Sequence, residues 1–191
     1  MPFSVARRAR WAIASSILAT TLASSTLVSA RPQVSVQSQL GLTGIGGDGG
    51  VWRSTRLDLG LRAEALYLRE SPHDFGLGPY LELRTAAFVH ADYGGGLVAL
   101  LPVSGTWPIW LGSGGFARRQ DHTFAPGANV FVGWGGRSYN YHSNYAMTYG
   151  LLLDVRSHFG DARGVDIVLA LTIDLEGLLL PAAYLTSSIL H

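Results

Sequence analysis

Apolar and polar residues alternate along four stretches of the chain, and the polar positions of those stretches carry charges of both signs. The clearest runs from Arg56 to Tyr67. In an extended strand successive side chains point to opposite faces, so Leu57, Leu59, Leu61, Ala63, Ala65 and Tyr67 share one surface while Arg56, Asp58, Arg62 and Glu64 share the other. The pattern returns in Leu77–Phe88, where Leu81 and Leu83 oppose Glu82 and Arg84. It returns again in Tyr149–Phe159, where Leu151, Leu153 and Val155 oppose Asp154, Arg156 and His158. In Val165–Leu175 the residues Asp166, Thr172, Asp174 and the following Glu176 face away from Val165, Ile167, Leu169, Leu171 and Ile173. Alternation alone does not say which face is the outside, because a soluble sandwich or barrel alternates with its apolar face inward.

The N-terminus bears on that choice. Residues 1–30 combine a basic start (Arg7, Arg8, Arg10), an apolar stretch from Trp11 to Leu22 and the small-residue end Val28-Ser29-Ala30. This is the layout of a secretory signal peptide cleaved before Arg31. The expected exported chain is then a barrel domain over 31–176 followed by an apolar tail over 177–191.

The remaining segments are of strand length and are separated by clusters of glycine, proline, asparagine and aspartate. They predict strands near 33–43, 53–68, 77–89, 95–103, 108–118, 127–137, 146–159 and 164–176. The fold class this predicts is all-β, an antiparallel up-and-down transmembrane barrel of about eight strands, with a short helical tail starting near Pro181. Connections at Gly44–Val51, His90–Gly94, Arg118–Pro126 and Gly160–Arg163 would lie at one end, and those at Glu70–Gly76, Ser104–Trp107 and Ser138–Tyr145 at the other. Aromatic residues gather near segment ends, among them Trp52, Tyr67, Trp107, Trp110, Trp134, Tyr139, Tyr145 and Phe159. Girdles of such rings are expected where a barrel wall meets the lipid headgroups.

Composition narrows the classes further. The chain has 14 basic residues, all arginine, against 13 acidic ones. Without the three arginines of the leader the net charge is about −2, which argues against a nucleic-acid partner. Cysteine is absent, so no disulfide holds the exported chain together. Only 14% of residues are charged and 24 are glycine, and the stretches Gly94–Ala117 and Ala125–Gly136 carry no charge at all. A soluble surface built from them would be unusually bare.

On these alternating segments the chain resembles the small eight-stranded outer-membrane β-barrel superfamily of Gram-negative bacteria. The resemblance covers most of residues 33–176 and rests on architecture rather than a diagnostic motif. It implies a place in the outer membrane, with membrane lipid and lipopolysaccharide as surroundings. It leaves activity open, since such barrels serve as anchors, adhesins, pores and lipid A-modifying enzymes.

Four sets of residues are candidates for chemistry. Tyr141-His142-Ser143-Asn144 resembles the His-x-Ser-Asn of lipid A deacylase barrels, but here His142 and Ser143 are adjacent and would point to opposite faces of a strand. Gly44-Ile45-Gly46-Gly47-Asp48-Gly49 spells a dinucleotide fingerprint, yet a strand rather than a helix is expected after it. The six histidines show no pair at ligand spacing, although His90 with Asp92, or Asp121 with His122, could meet through loops. No metal or cofactor is therefore expected. The fourth set is the charged face itself: Asp58, Arg62, Glu64, Glu82, Arg84, Asp154, Arg156, Asp166, Asp174 and Glu176. If the apolar faces meet lipid, these side chains enter a narrow lumen and should form a ladder of ion pairs that largely fills it.

The sequence thus favours a non-catalytic envelope barrel with a structural or surface-interaction role. A barrel enzyme acting on lipid A or phospholipid acyl chains, and a soluble periplasmic lipocalin-like barrel with its apolar face around a ligand, stay open beside it.

Overall fold

Each of the eight predicted segments forms a strand in the computed structural model, which describes residues 32–47, 50–104, 107–120, 123–138, 146–159 and 163–175. The strands are β1 (Gln33–Gly47), β2 (Gly50–Leu66), β3 (Gly76–Ala86), β4 (His90–Leu101), β5 (Ile109–Gln120), β6 (Thr123–Arg137), β7 (Thr148–His158) and β8 (Gly164–Asp174). Each pairs antiparallel with its neighbours in sequence, and β8 returns to β1 along Gln37↔Asp174 to Ile45↔Asp166, so the sheet closes on itself. Closure leaves no long unpaired edge within the wall. The leader, the tail, Glu176, His142 and Ser143 lie outside the described residues.

We call the end at which β1 begins proximal and the other end distal. At the distal end three of the four connections are shorter than the sequence suggests. Only residues 48–49 separate β1 from β2, residues 87–89 separate β3 from β4, and residues 121–122 separate β5 from β6. The expected connections are corrected to strand at 90–94, 118–120 and 123–126. Gly94, Gly95 and Gly96 pair with Glu82, Leu81 and Tyr80, while Arg118 pairs with Asp92 on one side and Ala125 on the other. Glycine clusters weaken a strand only in isolation, and here neighbours on both sides supply the ladder. The expected connection at Gly44–Val51 is likewise corrected in its first part, since Gly44–Gly47 continues β1 through an irregularity between Ile45 and Gly47.

The three-residue β3–β4 connection contains a turn closed by the Val89 N–H donating to the Ala86 carbonyl at 3.0 Å. Its central residues, Ala87 (φ 49°) and Phe88 (φ 59°), both lie in the left-handed region. Two successive positive φ values are a conformation that turns usually give to glycine, asparagine or aspartate. With alanine and phenylalanine there, the turn carries local strain.

The two faces of the wall are sharply different. Leu81 is 70% exposed on the outside, Val130 63%, Leu97 57% and Leu169 55%, whereas Arg62, Asp154 and Arg156 are at most 1% exposed within. Inside, large rings sit opposite glycines. A Cβ built at Gly133, Gly112 or Gly127 would overlap the rings of Trp110, Phe131 or Phe116 respectively. The inward glycines therefore give the bulky rings room in an eight-stranded lumen.

Candidate functional site in the barrel interior

The interior site follows from register. Inward positions recur every second residue along each strand, and closure aims all eight rows at one axis. Among the described residues six arginines and seven carboxylates are buried there, so the enclosed charges nearly balance.

The central layer joins opposite walls. Glu82 on β3 accepts from Arg62 Nη2 at 2.9 Å and from Arg156 Nη1 at 2.7 Å. Asp154 on β7 accepts from the same Arg156 nitrogen at 2.8 Å and from Arg84 Nη1 at 2.7 Å. Arg84 also donates to Gln39 Oε1 at 2.7 Å and pairs through Nε with Asp58 at 2.9 Å. Strands β3 and β7 stand four places apart in a ring of eight, so these contacts span the diameter. Aromatic rings cover the remaining faces of the cations. The Arg62 guanidinium lies 3.8 Å from the Phe131 centroid and 5.0 Å from Tyr80, and that of Arg156 lies 4.3 Å from Phe116. Such stacking suits guanidinium, which is weakly hydrated and planar.

The distal layer is built on Arg118, which holds Asp92 with two nitrogens at 2.8 and 3.0 Å and Asp166 at 2.7 Å. Arg156 Nε reaches Asp92 at 3.3 Å and so connects this layer to the central one. The His158 ring nitrogen stands 3.4 Å from Arg118. In the proximal layer Arg137 donates to Glu64 at 2.7 Å, again between strands four apart, and to Ser35 at 3.0 Å, while Arg69 donates to Gln33 at 3.0 Å. An apolar cluster that includes Leu66, Leu100, Trp110 and Leu152 fills the proximal part of the same lumen.

Of the sequence candidates, Asp58, Arg62, Glu64, Glu82, Arg84, Asp154, Arg156, Asp166 and Asp174 are all buried in this interior. Asp92, Arg118, Arg137, Arg69, Gln33, Ser35 and Asn129 join them without having been singled out. The signal for Asp92 and Arg118 was the continued period of two across residues that look like loop. Asp92 is also committed to two arginines rather than to His90 and an ion, and no metal-binding group of three or more His, Asp or Glu is found among the described residues. Trp110, expected in the outer girdle, is corrected to the lumen, where it is fully buried, because β5 turns its even positions inward. Trp107, Trp134 and Tyr149 do form an outer proximal cluster, with ring centroids 5.2 and 5.9 Å from Trp107.

No family model matches this chain, and no curated protein matches it. Among solved structures it is similar to a crystal structure of Neisserial surface protein A, at 12% identity over 75% of this chain and 97% of that one, with a TM-score of 0.43. At that distance the reading of this chain rests on its own geometry. A closed, eight-stranded, up-and-down barrel with charged residues inside and apolar ones outside has the architecture of the small outer-membrane-type barrels.

Proposed function

We propose that this chain is an outer-membrane β-barrel with a closed lumen and a structural or surface-interaction role, and that it is not a catalyst. The observation that carries this reading is the inversion of its two faces. Every strand turns apolar side chains outward while the buried charges pair across the axis. In water that wall would expose a contiguous apolar surface far beyond what soluble monomers tolerate, whereas in a bilayer it is the lipid-facing band. A lipocalin-like barrel needs the opposite orientation.

The closed lumen is supported by the diametric braces Arg84–Asp154 and Arg137–Glu64, which occupy the axis at two levels. The absence of catalysis is inferred from the same economy, since these ionised groups neutralise one another. An even number of strands puts both chain ends on one side. For an exported chain that side is the periplasm, so the distal turns face outward.

Expression of the full chain in a Gram-negative host tests the reading. The outer-membrane fraction should hold a band whose gel migration changes on boiling, and the purified barrel should show no channel conductance in planar bilayers. A water-soluble periplasmic product without the shift would overturn the location, and stepwise conductance would overturn the closed lumen.

A further inference from the structure

We propose that the outer wall between β1 and β4 is a seat for one acyl chain of a phosphorylated glycolipid of the lipid A class, with Arg119 binding its phosphate. The proposal rests on the outer-membrane reading above and deepens it. The wall there is not smooth but holds a groove of about 820 Å³, within the range of small-molecule sites. The short outward side chains Ser38, Thr85 and Ala91 line it together with outward leucines of β1 to β3 and Tyr93. Phe88 overhangs its distal end from the strained turn and is 78% exposed. Two adjacent left-handed, non-glycine residues are kept at a surface turn more readily when the turn places a side chain for a purpose.

The groove's outward charge is Arg119. It sits one residue from the end of β5, opposite Ala91, at the level of the overhanging turn. The buried arginines of the central layer are each held by carboxylates, but the Arg119 side chain has no ion pair or hydrogen bond among the described residues. A guanidinium at the rim of an apolar slot matches an amphiphile with a phosphate at one end and a saturated chain at the other. With the distal end facing outward, the slot opens into the outer leaflet, where the phosphorylated amphiphile is the glycolipid rather than a phospholipid.

The test uses the full-length barrel in phosphatidylcholine nanodiscs doped with equal amounts of hexa-acylated lipid A and phosphatidylglycerol, released for native mass spectrometry. The wild-type protein should retain lipid A in preference to phosphatidylglycerol. Arg119→Gln should lower that retention about tenfold, a loss of the size expected for one charge-assisted contact. Arg119→Lys should keep most of it, Thr85→Trp should block the slot, and Leu153→Trp on the far wall should change nothing. Equal retention by wild type, Arg119→Gln and Thr85→Trp would overturn the seat, and equal retention of both lipids would overturn its assignment to the glycolipid. The same samples run boiled and unboiled separate the two failures. A folded barrel without selective retention sinks the groove alone, whereas a chain that does not fold in the bilayer sinks the outer-membrane reading and the groove with it.

Discussion

The ionic layers of the lumen and the apolar cluster around Trp110 fill the same narrow space by different physics. Both are fully buried. In the apolar cluster Trp110, Leu66, Leu100 and Leu152 need only volume, and the inward Gly133 supplies it. In the ionic layers each group needs a particular partner, often from the opposite wall, because an uncompensated charge in a low-dielectric interior is far costlier than a void. The two regions should therefore respond oppositely to paired substitution.

The largest expected effect comes from leaving one charge alone. Arg137→Met strands Glu64 and should cost about 3–5 kcal/mol in urea unfolding from lipid vesicles. The double variant Glu64→Leu/Arg137→Met should recover to within about 1 kcal/mol of wild type, since apolar replacement of a whole buried pair is often neutral. If the double variant is as unstable as the single one, the layer contributes more than mutual neutralisation. Trp110→Ala should cost about 3–5 kcal/mol through the cavity it leaves, and no single change of charge nearby should restore it. Smaller again, Gly133→Ala should cost about 1–3 kcal/mol by overpacking against the indole, and Trp110→Phe in the same chain should relieve part of that loss.

The smallest effect lies outside both regions, in the proximal connection between β2 and β3. The Ser71 side chain and the amides of Glu70 and Ser71, which donate to Asp74 Oδ2 at 3.0 and 2.6 Å, hold the Asp74 carboxyl below the usual carboxylate range. A depressed folded-state value means that the contribution is present above the unfolded value and is lost as pH falls through the folded one. The stability difference between wild type and Asp74→Asn should thus be measurable at neutral pH and vanish in strong acid. A difference independent of pH would show that the turn does not depend on that charge.

How much of this was legible in the sequence differs between the same two regions. Strand number and topology were readable, because Leu57–Tyr67 and its counterparts keep a strict period of two. The charges on those segments could be assigned to one face on the same ground. Asp92 and Arg118 escaped because residues 90–94 and 118–126 read as connections, and Arg137 because it stands at the very end of the predicted strand 127–137; only pairing with neighbouring strands shows their side chains to line the lumen. Trp110 escaped for a related reason. A tryptophan near a strand end suits the girdle as well as the lumen, and only the register of β5 decides. Partners across the diameter, such as Arg84 with Asp154, are 70 positions apart in the chain and carry no local signal.

The central claim is that the apolar face of every strand is the outside. Because the chain contains no cysteine, single cysteines introduced along Gly150–Arg156 of β7 can each carry a fluorophore in an otherwise unlabelled protein. Quenching by a lipid-phase quencher in vesicles should rise at 151, 153 and 155 and fall at 152, 154 and 156. Strong lipid-phase quenching at the even positions, or none at any, would contradict the account.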